Sequence, residues 1–386
     1  MRRISATYIY PVSSPPEKGR VILLNDDSSI ADILPVDSCF EQEIEYYDGI
    51  ICPGFVNAHC HTELSHLNGT IEQGRGLHGF LSDLQSIRSS VKFSKSNFEN
   101  AERELATGGT VAVGDISNGN ETFNFKVDSS LIYHTFIEVY GLRKDRELID
   151  FERGKMMLKQ ARELGLRASL SPHAPYSVLP SLFALLQRED QPVISMHNQE
   201  SASENEMFII GTGGLIETFK SFGIDMSRFK PSGKSSLQSV LQFLNGRTHT
   251  QLVHNTFTTE EDVHIATEYF DKVYWCCCPS ANLYIEGKLP DIAMLKRCNT
   301  NITVGTDSYA SNTHLSVFEE LKLISENFDG IPFQELIRWA SLNGAEFLGI
   351  QQQIGTIEKG KKPGLNLITQ NDILQLAQDS KLIRVA

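Results

Sequence analysis

The first fifty residues and the remainder of the chain follow different hydrophobic rhythms. Within residues 1–50, short apolar runs such as ISATYIYPV and GRVILLN are separated by Pro15-Pro16 and Lys18-Gly19. These read as strands and turns, and ADILPVD and EIEYYD continue the pattern. From Cys52 onward, β-rich apolar runs alternate with segments of helical character. Eight runs are candidate strands: 54–61, 109–117, 131–141, 166–174, 192–200, 250–255, 272–280 and 301–308. Between them, FERGKMMLKQARELG (151–165) and TEEDVHIATEYF (259–270) carry amphipathic helical periods. This alternation predicts an α/β fold, and eight repeats favour a closed (β/α)8 TIM barrel over an open doubly wound sheet. The open sheet lacks its supporting glycine fingerprint, because GTGG (211–214) follows no clear strand-to-helix turn.

After the barrel come FQELIRWASLNGAEFLG (333–349), the turn-rich, β-like GTIEKGKKPGLNLITQ (355–370) and a last strand candidate, KLIRVA (381–386). Both ends are strand-rich, so residues 1–51 and 352–386 are expected to pack as one small β domain formed by both termini, with the barrel at 52–351. Residues 201–249 form a long excursion, expected as helices broken by glycine, that could cover the barrel mouth as a lid.

Composition narrows the function. The formal net charge of −13 argues against a broad grip on nucleic acid or on an anionic membrane, but not against a small nucleoside or heterocycle held in a pocket. No apolar run approaches the ~18 residues of a membrane span, and the N-terminus shows no signal-peptide pattern. Seven cysteines, an odd number with three adjacent, do not make a disulfide framework, so a reducing cytoplasm is the simpler setting. Cys276, Cys277 and Cys278 lie in a strand-like run, where consecutive side chains face opposite ways and cannot easily share one metal.

The chemistry gathers at the ends of the candidate strands. His59 and His61 end the first, His197 the fifth, His254 the sixth and Asp307 the eighth. In a barrel the C-terminal ends of the strands converge on the active-site face. The His-x-His pair has period two, so both imidazoles point to one side. A lone histidine near a strand end is more often a hydrogen-bonded structural residue, but packing does not readily explain this whole set. Nitrogen and carboxylate donors suit zinc, with iron or manganese as the other candidates. Asp307 could also take a proton from water, and His254 either binds the metal or acts electrostatically beside the water.

The segments PGFVNAHCH (53–61), SMHNQE (195–200), LVHN (252–255), GTDS (305–308), NGAEFLG (343–349) and GTIEKGKKPGLNLI (355–368) resemble the amidohydrolase superfamily over nearly the whole chain. Within it, the His-x-x-Glu of His197 and Glu200 is similar to the branch of cytosine, guanine and adenosylhomocysteine deaminases. SPHAPYS (171–177) and CPSANLYIEGKLPDI (278–292) resemble segments of the adenosylhomocysteine and methylthioadenosine deaminases, the latter as a strand-and-loop region. HCHTELSHLNG (59–69) resembles the start of aminodeoxyfutalosine deaminases, with Thr62 where those commonly have leucine.

The resemblance implies one divalent metal on His59, His61, His197 and Asp307, with His254 close to the hydrolytic water. It implies that metal-bound hydroxide attacks an amino-bearing ring carbon. Glu200 would protonate the ring nitrogen, and Asp307 would pass the water's proton to the leaving amine. Glu63 and His173 would contact substrate. By position alone, Ser308 and Asn312 could orient Asp307 or substrate, though turn and helix capping explains either nearly as well. A homodimer is in keeping with this class. Asn366 stands where many relatives have aspartate, remote from the proposed chemistry. The expected function is deamination of an adenine-containing nucleoside derivative. The alternatives are a guanine- or cytosine-type deaminase, an amide or cyclic-amide hydrolase, and, distantly, a non-enzymatic metal-binding protein.

Overall fold

The computed structural model describes residues 1–39, 43–87, 90–369 and 376–386. Four strands come first: β1 (Arg2–Ile9), β2 (Arg20–Leu24), β3 (Ile30–Pro35) and β4 (Glu45–Pro53). One residue, Gly54, separates β4 from the first of eight further strands. These are β5 (Phe55–Cys60), β6 (Thr110–Ser117), β7 (Ile132–Val139), β8 (Arg167–Pro172), β9 (Val193–Asn198), β10 (His249–His254), β11 (Val273–Cys277) and β12 (Asn301–Val304). They are the eight expected from the alternation; β10 is shifted by one residue and the others are shorter by one or more residues. The last two strands are β13 (Leu365–Thr369) and β14 (Lys381–Arg384).

Strands β5–β8 and β9–β12 pair in parallel in two runs, and two seams join the runs into a ring. At one seam the Ser195 N–H donates to Ser171 Oγ (3.0 Å) and the His197 N–H to the His173 carbonyl (2.9 Å). At the other, Thr306 and Asp307 both donate their N–H groups to the His59 carbonyl (3.1 Å each), and Cys60 bridges Asp307 in parallel register. The fold is thus a (β/α)8 barrel with a smaller sheet beside it. That sheet has the order β14-β13-β4-β1-β2-β3, with β4 parallel to β1 and antiparallel to β13. Asn366 lies in it, buried, and donates to the Gly109 carbonyl just before β6 (2.9 Å). Of the expected 355–370 segment, Gln370 lies outside the described residues.

Two-residue alternation sets what each strand buries. Leu252, Trp275, Cys277 and Ile302 face outward into the apolar layer shared with Leu158, Val263, Leu295 and Leu321 of the surrounding helices. Ala58, Val253, Cys276 and Cys278 pack together beneath the mouth. The three adjacent cysteines therefore divide between two faces, and all are buried. Deeper in the ring, the Gln251 amide spans strands, donating to the Ala58 carbonyl (3.0 Å) and accepting from Thr303 Oγ1 (3.1 Å).

The 201–249 excursion contains helices Ala202–Ile210, Gly214–Ser221 and Ser236–Val240. Gly211 and Gly213, both at positive φ, interrupt the first two, as expected from their freedom in the left-handed region. The segment after β11 departs from expectation. Residues Pro279–Glu286 form a helix rather than a loop, with proline in the first turn and left-handed Gly287 at its end. Among the described residues, no helix is long and apolar enough to cross a membrane.

Closure at the β12/β5 seam needs glycine at 305. A Cβ there would lie 2.8 Å from both His59 Cβ and the His59 carbonyl oxygen. Gly305→Ala is expected to lower stability by about 1–3 kcal/mol, the usual cost of overpacking. Calorimetric unfolding checks this, and an unchanged Tm would mean that the seam has room to relax.

Candidate metal centre and active site

The barrel brings His59, His61, His197, His254 and Asp307 together at the C-terminal ends of its strands. His59 Nε2 and His61 Nε2 stand 3.2 Å apart, and Asp307 Oδ1 lies 3.7 and 3.4 Å from them. The His197 ring centroid is 4.9 Å from that of His59 and 5.3 Å from that of His254. One nitrogen from each of His59, His61 and His197 falls within a 4.8 Å cluster. Metal–ligand bonds of about 2.1 Å at tetrahedral angles put ligand atoms about 3.4 Å apart, so the His59, His61 and Asp307 atoms have the spacing of a small metal polyhedron.

The protonation states suit the same purpose. Burial pushes His59 down to about 4 and His61 and His254 below their ordinary range, so these imidazoles are neutral with lone pairs to give. Burial alone would push the Asp307 carboxyl up, but His59, His61 and His254 outweigh it and hold the group well below the usual carboxylate range. Ser311 Oγ also donates to Asp307 Oδ2 (2.5 Å). Ser311, rather than Ser308 or Asn312, orients this carboxylate. Asn312 Nδ2 instead donates to the Thr306 carbonyl and to Glu320. The identity of the orienting serine depends on the turn after β12, which sequence spacing does not reveal.

Glu200 sits at the opposite protonation extreme. Burial, reinforced by the charges of Asp307, Glu204 and Glu286, pushes its carboxyl up to about 8 despite the opposing His197. Its Oε1 lies 3.6 Å from His254 Nε2. Glu204 fixes the turn that presents it, accepting the N–H groups of Gln199 and Glu200 (3.1 Å each). Gln199, His254, Asn255 and Asp307 all have positive φ, unusual for side-chain-bearing residues. Such backbone costs about 1–3 kcal/mol per residue and concentrates at functional sites.

A cavity of about 610 Å³ opens over this cluster. Its inner end includes His61, His197, Glu200, His254 and Asp307, and Glu63 and His173 also line it. His173 Nδ1 is bonded to Ser177 Oγ (2.6 Å). Glu63 accepts from the Asn118 N–H (2.8 Å), Asn118 Nδ2 (3.0 Å) and the Gly119 N–H (3.2 Å). Thr62 donates its N–H and hydroxyl to Asp115 (2.8 and 2.9 Å), and Asp115 is paired with the buried Lys126 ammonium. Thr62 thus anchors the turn Thr62–Leu67 that carries Glu63.

The sequence reading missed four residues. Asn282 Nδ2 contacts His254 Nδ1 (3.2 Å), Ser311 holds Asp307, and Asn118 holds Glu63. Glu138 on β7 lies 3.3 Å from His197 Nδ1. They lie in strands or after them without any local motif, so the pairing that reveals them is purely spatial.

His197 ties the site to pH. Burial lowers its pKa, but Glu138 more than compensates and brings it up to about 9. A metal ligand must shed its proton, and a group raised to about 9 still holds one at pH 7. Zinc titration of the metal-free protein at pH 7 is expected to release about one proton, with affinity weakening as pH falls. Calorimetry in buffers of different ionisation heat measures this, and binding without proton release would contradict a ligand role for His197.

A sequence profile described as the Amidohydrolase family matches residues 50–385. A Helicobacter pylori protein described as adenosine deaminase is 28% identical over 338 residues, covering 85% of this chain and 80% of that one. Aminodeoxyfutalosine deaminase from Nitratiruptor sp. is 26% identical over 344 residues, covering 86% and 82%. In fold, the chain is similar to the crystal structure of Helicobacter pylori aminofutalosine deaminase in complex with methylthio-coformycin. The TM-score is 0.81, with 22% identity, over 96% of this chain and 93% of that one.

Proposed function

Because the chain belongs to the amidohydrolase family of metal-dependent hydrolases, we propose that it deaminates an adenine nucleoside derivative. The observation that carries this reading is the placing of two buried carboxyl groups at one mouth: Asp307 lies 3.7 and 3.4 Å from His59 and His61, which favour its ionised form, and Glu200 lies 3.6 Å from His254, where burial favours its protonated form. Environments that drive two carboxyl groups apart in this way assign one as acid and the other as base.

His59, His61, His197 and Asp307 would hold one divalent cation, zinc first among the candidates and Fe²⁺ or Mn²⁺ next. When bound, such an ion supplies Lewis-acid activation of water. The side chains supply the rest. Glu200 donates its proton to the ring nitrogen beside the amino-bearing carbon, making that carbon electrophilic. Asp307 accepts a proton from the attacking water and returns it to the departing amine, which would otherwise be a poor leaving group. Asn282 Nδ2 donates to His254 Nδ1, so the remaining imidazole proton sits on Nε2. His254 therefore presents a donor to the attacking oxygen, which favours a place beside the water over a place in the ligand set.

The outer cavity supports a substrate larger than a free base. Leu77, Phe80, Phe219, Phe222 and Ile224 give it an apolar wall, and Arg143, Arg146 and Arg153 stand among its lining residues. In this reading a purine would occupy the inner end, with ribose and a 5′ substituent toward that wall. Adenosine, aminodeoxyfutalosine, methylthioadenosine and adenosylhomocysteine, the substrates in the names of similar deaminases, share this plan.

The test is a panel of these four compounds with guanine and cytosine, assayed for ammonia with metal-reconstituted protein. Ammonia release from at least one adenine nucleoside, without ring opening, is expected. Turnover of guanine or cytosine alone would shift the reading to those deaminases, and ring opening would shift it to cyclic-amide hydrolysis. Glu200→Gln and Asp307→Asn should each lower kcat by at least about 10²-fold, the scale of general acid–base catalysis. Full turnover by both would remove the proposed proton transfers.

The pH profile gives an independent check. Glu200 must carry its proton to donate it, and it loses that proton as pH rises through its pKa, which burial raises to about 8 in the metal-free protein and a bound dication would lower. Above that value kcat/KM should fall about tenfold per pH unit. A flat profile from pH 7 to 10 would exclude Glu200 as the acid.

A further inference from the structure

Glu138 is a carboxylate almost wholly removed from solvent, its side chain 1% exposed, on β7, between β6, which leads to Asn118, and β8, which leads to His173. Such a group is costly unless its charge is matched. Its two oxygens serve two different parts of the mouth. Oε2 accepts from Asn118 Nδ2 (2.8 Å), and that same amide also donates to Glu63 Oε1 (3.0 Å). Oε1 lies 3.3 Å from His197 Nδ1, and among the described residues it has no other, better-aligned donor. The better-aligned acceptor for His197 Nδ1 is the His173 carbonyl, at 2.9 Å. The His173 ring itself packs 4.7 Å from that of His197, and one donor atom from each of Glu138, His173 and His197 falls within a 4.8 Å cluster.

Two acceptors, a carbonyl and a carboxylate oxygen, therefore face the same imidazole nitrogen. Nδ1 of His197 must carry hydrogen to satisfy either one, which leaves Nε2 as the nitrogen available to a metal. A carboxylate at this position fixes the ring's tautomer and orientation and raises its basicity as a ligand. Through Asn118, the same carboxylate also supports the residue that cradles Glu63.

We propose that Glu138 is a positioning residue that couples the metal face of the site to its substrate face. It holds His197 with Nε2 toward the metal, and it holds Asn118 in place to set Glu63. This rests on the reading of His59, His61 and His197 as metal ligands. Neither Glu138 nor Asn118 touches the reacting atoms in this scheme.

The test separates the coupling from the reading beneath it. Metal affinity is measured by competition with a chromophoric chelator, and the cobalt-substituted protein supplies a visible spectrum of the site. His59→Ala should abolish tight binding. Glu138→Gln cannot accept from both His197 and Asn118, and it should weaken metal binding by roughly 10–100-fold and alter the cobalt spectrum. Asn118→Ala should leave metal affinity and spectrum unchanged while raising KM. If His59→Ala binds metal like the parent, the ligand reading fails. If His59→Ala loses the metal but Glu138→Gln keeps parental affinity and spectrum, the Glu138 proposal alone is overturned. Should Glu138→Gln not fold, histidine ¹⁵N spectra of the parent zinc-loaded protein decide. His197 protonated at Nδ1 and ligated through Nε2 supports the proposal, and the reverse arrangement overturns it.

Discussion

The His59 carbonyl accepts the backbone N–H groups of both Thr306 and Asp307, tying the last barrel strand to the first. That contact closes the ring and fixes the distance between the His-x-His pair and the carboxylate of Asp307. Gly305 is pressed against His59, so no side chain can part the strands there. Asp307 then turns into the left-handed region, which directs its carboxylate across the mouth toward His59 and His61. The strain of that backbone is carried by the seam and by Ser311, which leaves the carboxylate one orientation.

Electrostatics explains why so many titratable groups tolerate burial together. Of the carboxyl groups that approach the imidazoles, Asp307 and Glu138 are ionised while Glu200 keeps its proton. His197 is the one imidazole of the metal cluster that holds a positive charge, the others being neutral. This set carries a residual negative charge in a region where charge is poorly solvated. A divalent ion that displaces the His197 proton would bring the same set to neutrality. The arrangement is thus complementary to a dication on charge as well as on spacing.

The barrel was legible from the sequence because each strand is a short β-rich run and crossovers such as 151–165 and 259–270 carry a helical period. The strand-end histidines and Asp307 were legible for a related reason: period two in β5 and the convergence of strand ends place them without tertiary information. Legibility fails where a partner is chosen by a turn. Ser311 holds Asp307, although Ser308 is nearer in sequence and Asn312 only one residue further on. Asn282 reaches His254 because residues 279–286 coil into a helix where the sequence suggested a loop. Glu138 is invisible for the opposite reason. It lies inside an apolar strand, where a single acidic residue reads as an exception until β7 is set beside β8 and its side chain meets His197.

The two ends of the cavity are built from different kinds of structure, and this bears on how the site could take different substrates. Groups assigned to the chemistry sit on strand ends and the turns directly after them, locked by ring closure and by hydrogen bonds to neighbouring strands. The apolar outer wall comes from helix Gly76–Ile87 and from residues around 219–224 in the excursion between β9 and β10. Those segments pack outside the ring and contribute none of the imidazoles. A change at Phe80 or Phe222 would reshape the outer cavity without moving His59 or Asp307. Thr62 marks the boundary between the two ends. Its bond to Asp115 ties the first residue beyond the metal pair to the rigid barrel, and Glu63, one residue further, faces the cavity where substrate would lie.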